Sequence, residues 1–228
     1  MKAEIFAIGS ELLTPRRTDT NSAYLTAKLA EVGIPVVFRA SVGDDRALIA
    51  AAFRQSLARS ELVVATGGLG PTADDLTRES AGDALGLDFR ESPAIVDSIR
   101  RRFERRGIPM PDVNRKQAMV PVGGEVLENR LGSAPGLWIP VSTDGVSRTL
   151  VLLPGPPHEL QPMFEQAVLP RLASRSSRRV YRLKLLYVAG LAESLVEEKV
   201  GDLYRDLENP STTILASAGQ VELHLTAY

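Results

Sequence analysis

The chain reads as an α/β protein: a three-layer domain with a mostly parallel sheet and helices on both faces, followed by a small α+β unit. Three observations predict this. Strand and helix patterns alternate through the first half, as parallel strands joined by covering helices require. A glycine turn, Gly67-Gly68-Leu69-Gly70, follows the β-branched run Val63-Val64-Ala65. Around Leu172 the composition becomes short, polar and basic, Ala173-Ser174-Arg175-Ser176-Ser177-Arg178-Arg179, as in a linker. The expected division is a domain over 1–172, a linker over 173–179 and a second unit over 180–228.

Ile5-Phe6-Ala7-Ile8 reads as a short buried strand. Asn21 then caps a helix whose apolar positions Leu25, Leu29 and Val32 share a face, and Gly33 ends it. Pro35-Val36-Val37-Phe38 starts a second strand, and Asp44 or Asp45 begins a helix with Ile49, Phe53 and Leu57 at spacing four. Leu62 to Ala65 is the third strand. Pro93 to Arg106 reads as a helix with Ile95, Ile99 and Phe103 inward and a solvated face of arginines at 100, 101, 102, 105 and 106. Leu137-Trp138-Ile139 and Thr149 to Leu153 form two strands around a turn at Asp144-Gly145. The second enters the rigid turn Pro154-Gly155-Pro156-Pro157-His158-Glu159. The tail reads as a strand over 180–188, a helix over 193–203, and a hairpin of 212–216 with 221–227 around Gly219. With no further element after that hairpin, the second unit reads as incomplete.

Composition excludes several classes. The chain of 228 residues is 24% charged with a net charge of −1, so nothing pulls it globally towards nucleic acid or an anionic membrane. It has no cysteine, which removes disulfides, thiolate zinc sites and thiol nucleophiles. The amino terminus runs into a strand without the features of a secretion signal, and no segment is long enough to span a bilayer. A cytoplasmic protein is expected.

The chemistry concentrates on Thr66 to Thr77. Glycines allow positive φ and close approach of backbone N–H groups to an anion, and a helix N-terminus behind such a turn favours phosphate. Asp74 and Asp75 add hard oxygen ligands for a divalent ion. The plainer reading has the glycines shaping a turn and Asp74 or Asp75 capping the helix. A sheet of this kind places its ligand at the carboxyl ends of its strands, where Gly9-Ser10-Glu11, Gly43-Asp44-Asp45 and Thr66 to Asp75 are gathered.

These pieces also carry a resemblance. Ala7-Ile8-Gly9-Ser10-Glu11-Leu12-Leu13, Asp19-Thr20-Asn21, Ser41-Val42-Gly43-Asp44, Thr66 to Thr77, Asn114-Arg115-Lys116-Gln117-Ala118, Gly132-Ser133-Ala134-Pro135-Gly136 and Leu153-Pro154-Gly155-Pro156-Pro157 occur in that order. The chain resembles the amino-terminal domain of the CinA (competence- and damage-inducible) family and, more distantly, the molybdopterin-binding domains of molybdenum cofactor biosynthesis. Its tail is similar to the first part of the KH-like domain that follows in CinA proteins. No segment reads as the third CinA domain, which deamidates nicotinamide mononucleotide.

The resemblance implies hydrolysis of ADP-ribose at its pyrophosphate, dependent on Mg²⁺, Mn²⁺ or Co²⁺, with a monovalent cation as a further candidate cofactor. It also implies a homodimer or homotrimer assembled through the sheet domain. The residues suit that chemistry independently, since in-line attack of water on a pyrophosphate needs neutralised phosphate oxygens and a polarised water. Asp75, in the family's Asp-x-Thr pattern, is the first candidate for metal binding, with Asp44 and Asp74 beside it. Glu11 and Asp44 are further ligands or the base. The substrate-binding candidates are Ser10, Asn21, Thr66, Gly67, Gly68, Gly70, Pro71, Thr72, Thr77, Asn114, Gln117 and Gly155. Thr77 reads as a first-turn hydroxyl on phosphate or in a cap. Asn114 and Gln117, a helical turn apart, face one side. His158 and His224 receive no catalytic role. The Nudix helix is absent, and so is the Gly-x-x-Gly clamp by which KH domains hold RNA, so nucleic acid is not an expected partner. A nucleotide-type small molecule is. The alternatives are molybdopterin binding or adenylyl transfer, although cofactor enzymes usually have threonine where Leu69 stands, and a non-catalytic nucleotide-binding module.

Overall fold

A computed structural model of the chain describes residues 1–143, 145–175 and 182–227. The chain divides into two compact units, one made of Met1–Leu29 with Pro35–Arg175, the other of Ala30–Ile34 with the residues after Arg175.

In the first unit, β1 (Ala3–Ile8) is buried at every position. Phe6 and Ile8 pack with Ile49, Phe53 and Leu57; alternation turns Ile5 and Ala7 to the other face, so both faces are covered. α1 (Asn21–Glu31) buries Leu25 and Leu29, and Gly33 closes its exit at φ 72°. The expected cap at Asn21 is corrected: the Ser22 amide donates to Asp19 Oδ1 at 2.9 Å, so Asp19 holds the helix start and the Asn21 side chain is free for other work. β2 (Val36–Val42) is the sheet's outer strand, and Asp45 caps α2 (Arg46–Arg59) by accepting from the Leu48 amide. β3 (Leu62–Thr66) is fully buried.

α3 (Thr77–Leu85), β4 (Phe89–Glu91) and α4 (Pro93–Glu104) follow. α4 buries Val96 and Ile99, while Arg101, Arg105 and Arg106 are exposed as expected. A 3₁₀ segment, Asp112–Ala118, leads to β5 (Met119–Pro121), which pairs with β4. β6 (Glu125–Leu127), β7 (Gly136–Thr143) and β8 (Val146–Leu153) complete the main sheet. The expected β7–β8 hairpin is present, with Asp144 of its turn outside the described residues. The sheet order is β2-β1-β3-β8-β7-β6; the first four strands are mutually parallel, β7 is antiparallel to β8, and β6 is antiparallel to β7. α5 (Pro157–Met163) runs through a π turn, Phe164–Val168, into α6 (Leu169–Arg175), so Ala173–Arg175 are helical; 176–179 of the expected linker lie outside the described residues.

The second unit is an antiparallel sheet, β10-β11-β9, formed by β9 (Arg182–Ala189), β10 (Ser211–Ser217) and β11 (Gln220–Ala227). α7 (Glu193–Val200) buries Val196 against Val221 and Leu223, and Gly219 turns the hairpin at φ 83°. Residues 180 and 181 of the expected strand lie outside the described residues. Among the described residues, no helix is long and apolar enough to cross a membrane.

Candidate functional site

The carboxyl ends of β1, β3 and β8 open on a cavity of about 730 Å³. Its floor is the glycine turn. Gly67 has φ 98°, and a Cβ there would lie 2.1 Å from the Ile8 carbonyl oxygen; Gly68 has φ 63°, and its Cβ would lie 2.2 Å from Thr77 Oγ1. Glycine at both positions is therefore a steric requirement of the turn. The Gly67 amide is committed to the sheet, donating to the Leu153 carbonyl at 3.0 Å. Among the described residues, nothing accepts from the amides of Gly68, Leu69 and Gly70. Those three donors are free for an anion, whereas the amide of Gly67, one of the expected substrate-binding residues, is not.

Two expectations about this turn are corrected. The helix does not start directly behind it: α3 begins at Thr77, after Leu76, with no side-chain cap, so neither Asp74 nor Asp75 caps it. Thr77 does not face phosphate either. It is fully buried and donates its hydroxyl to the Gly67 carbonyl at 2.8 Å, which bolts the turn to α3.

The carboxylates do gather. Glu11, Asp44, Asp74 and Asp75 line the cavity, and the structure adds Asp19 and Glu159. Asp75 Oδ2 accepts from both the amide and the hydroxyl of Thr72, leaving Oδ1 available. Asp44 is clamped by Ser10, whose amide donates to Oδ2 at 2.7 Å while its hydroxyl accepts from the Asp44 amide at 2.9 Å. Glu11 makes no hydrogen bond through its carboxylate among the described residues. The polar Thr72 side chain, the backbone amide of Asp74 itself and Lys116 hold the Asp74 carboxyl below the usual carboxylate range. Ser10 and Thr72 thus brace acidic groups instead of lining the cavity.

The remaining candidates separate in the same way. Asn21 Nδ2 donates to Thr66 Oγ1 at 3.1 Å and to the Gly155 carbonyl at 2.7 Å, and Thr66 donates to the Pro154 carbonyl at 3.0 Å. This network ties α1, β3 and the proline turn together at the cavity wall, which Pro71 also lines. Gln117 lines the cavity; Asn114 is buried behind it and donates to Gln117 Oε1 at 3.0 Å, so it positions Gln117. The Asn21 side chain acts through residues far away in sequence, which is why a cap was the nearer reading.

Sequence reasoning missed Arg17, Arg78 and Glu159. Arg17 is the single cation lining the cavity among the described residues, against six carboxylates. Arg78, 2% exposed, donates to the Leu69 carbonyl at 2.9 Å and to the Pro135 carbonyl at 3.4 Å, joining the glycine turn to the 132–136 loop. Burial pushes its guanidinium down to about 10, against smaller opposing effects of Glu79 and Asp75, so it stays charged at neutral pH. Nothing in the sequence around Arg78 distinguishes it from a solvated helix residue.

Among the described residues, no three His, Cys, Asp or Glu side chains converge closely enough to hold a metal ion. The donor set still fits a magnesium-like ion. Such an ion takes hard oxygens in small number, one or two carboxylates completed by water and substrate phosphates, and does not need an all-protein cage.

Residues 4–174 match the family model described as "Probable molybdopterin binding domain", and residues 183–228 match "Damage-inducible protein CinA KH domain". A CinA-like protein of Koribacter versatilis is 48% identical over 225 residues, covering 99% of this chain and 54% of its own length. The chain belongs to the CinA-like family. A second CinA-like protein, from Solibacter usitatus, is 46% identical over 227 residues, covering 100% of this chain and 54% of its own. The chain thus spans about half the length of the curated relatives it matches. Among solved structures, a CinA protein of unknown function from Thermoplasma acidophilum aligns with a TM-score of 0.68 at 31% identity, covering 75% of this chain and 99% of that one. A molybdopterin biosynthesis protein from Mycobacterium abscessus shares the fold, with a TM-score of 0.50 at 19% identity over 76% of this chain and 92% of its own.

Proposed function

We propose that the first unit is a metal-dependent hydrolase of nucleotide pyrophosphates, with ADP-ribose as substrate and AMP and ribose 5-phosphate as products. The observation that carries this reading is the cavity's composition: unpaired amides at Gly68, Leu69 and Gly70 share one hollow with six carboxylates. Its volume suits a nucleotide-sized ligand. A diphosphate entering so acidic a site needs its charge offset, and Arg17 alone does not supply enough. A divalent ion arriving with the substrate would do so, held by one or two of the cavity's carboxylates, Asp75 first, and would neutralise charge on the phosphates.

The protein's own groups have separable tasks. The turn amides bind one phosphate, and Arg78 keeps the turn in shape from beneath. Thr72 orients Asp75. Glu11, whose carboxylate has no hydrogen-bond partner among the described residues, holds the attacking water and takes its proton as the water oxygen bonds to phosphorus. The P–O–P bond then breaks, and the departing phosphate keeps the bridging oxygen.

The test is incubation of the purified chain with ADP-ribose and Mg²⁺, Mn²⁺ or Co²⁺, scored by AMP and ribose 5-phosphate. Turnover should fall by at least about a hundredfold in Asp75→Asn, as loss of an electrostatic contact to the transition state implies. A molybdopterin site is the second reading, favoured by the shared fold and by the family description. No turnover together with tight molybdopterin binding would replace the first reading with the second. We further propose a cytoplasmic homodimer or homotrimer, tested by light scattering, and a monovalent-cation dependence, tested by exchanging K⁺ for tetramethylammonium.

A further inference from the structure

Glu159, on the first turn of α5, lines the cavity with its side chain 15% exposed. One of its oxygens is fixed: Oε2 accepts from Asn129 Nδ2 at 2.7 Å. Asn129 is itself locked, donating to the Ala134 carbonyl at 2.8 Å and accepting from the amides of Leu131 and Gly132 at 3.1 and 2.7 Å. The loop has no room for a side chain at 132, where a Cβ would stand 1.8 Å from Oε2. The other oxygen, Oε1, has only the His158 ring at 3.7 Å, beyond hydrogen-bonding distance.

Taking a carboxylate largely out of water costs free energy, and an ionised carboxylate can only accept. Pro156 and Pro157 beside it bring no backbone N–H. A loop shaped to seat this carboxylate, with one oxygen unclaimed on a ligand cavity, calls for donors on the ligand. A phosphate has none to offer and is repelled.

We infer that the unclaimed Oε1 of Glu159 accepts a hydrogen bond from a donor on the ligand, which on a nucleotide pyrophosphate is a hydroxyl of a ribose diol. Glu159 then selects a ribosylated diphosphate over a bare one. This rests on the reading of the cavity as a nucleotide pyrophosphate site. The same chemistry is offered by the amino and N–H edge of a pterin, and the experiment separates the two.

Calorimetry on the full chain with Mg²⁺ uses methylene-bridged ADP-ribose, its two counterparts lacking the vicinal hydroxyls of one ribose or the other, methylenediphosphonate, and a free pterin. One deoxy counterpart should bind the wild type roughly ten- to hundredfold more weakly than the parent, as loss of a hydrogen bond to a charged group predicts. Glu159→Gln should weaken the parent similarly and leave that counterpart unchanged. The diphosphonate should bind the variant as well as before or more tightly, because a negative charge has been removed. Equal loss for all ligands in the variant overturns the assignment, as does full affinity of both deoxy counterparts for the wild type. Loss of pterin binding with ADP-ribose binding intact overturns the ribose and selects the pterin. The wild-type comparison needs no substitution, so it decides even where the variant fails to fold. A wild type that binds the diphosphonate and neither nucleotide overturns the nucleotide reading itself.

Discussion

Two buried charges sit towards opposite ends of the first unit's sheet, and the protein treats them differently. Glu4, near the amino end of β1, is fully buried and saturated: Ser56 and Ser60 donate to it at 2.6 and 2.7 Å, and Arg59 makes a two-pronged pair at 2.7 and 2.8 Å. Burial pushes this carboxyl up, but the Arg59 and serine hydrogen bonds outweigh it and hold it below its ordinary 4.5. Arg78, by the carboxyl ends, donates to two carbonyls, and its Nε is buried with no partner among the described residues. The first arrangement stabilises the fold. The second tolerates an under-satisfied cation, which keeps positive charge and shape beneath the glycine turn of the proposed phosphate site.

Stability measurements can break this contrast. Glu4→Ala should have the largest effect, about 3–4 kcal/mol by urea denaturation, because it leaves buried hydroxyls unpaired and opens a void. In the wild type, Glu4 contributes fully above pH 4.5, its unfolded value, and that contribution disappears as pH falls through the lower folded value. Glu4→Gln should therefore flatten the acid limb of a urea-midpoint profile. A variant as acid-sensitive as the wild type would assign that limb to other groups.

Arg78→Met should cost less stability, about 1–2 kcal/mol, since replacing an imperfectly paired buried charge by an apolar group of similar length sheds its desolvation penalty. Its cost should show in the site, as a tenfold or greater weakening of diphosphate binding measured by calorimetry. Equal stability losses for Glu4→Ala and Arg78→Met would erase the distinction between the two ends. At the small end, Asp83→Asn breaks a half-exposed ion pair with Arg46 (2.6 Å) and should leave the urea midpoint almost unchanged, since solvent screens such a pair.

Most of the architecture was legible in the sequence because its causes are local. The runs around Ile5 and Val64 are apolar on both faces, and a strand with both faces apolar belongs in the middle of a covered sheet. Helix faces at Leu25, Leu29, Ile49 and Phe53 followed from spacing alone. The site was legible as a set of loops but not as a set of roles. Asn21 read as a cap because a cap is the partner available within three residues, whereas its partners are Thr66 and the Gly155 carbonyl. Thr77 and Arg78 sit where a helix start normally meets solvent or ligand; packing against the glycine turn buries both.

What the amino-acid order determined by itself was the alternation of elements, the place of the turn and the need for glycine in it, since these depend on side-chain period and on sterics within a few residues. Tertiary structure alone decided which amides stay unpaired, which threonines and serines brace carboxylates, and that, among the described residues, six acidic groups share one hollow with a single arginine. Those outcomes depend on contacts between residues tens of positions apart, and a hydrogen bond is assigned by distance in space, which no local pattern encodes.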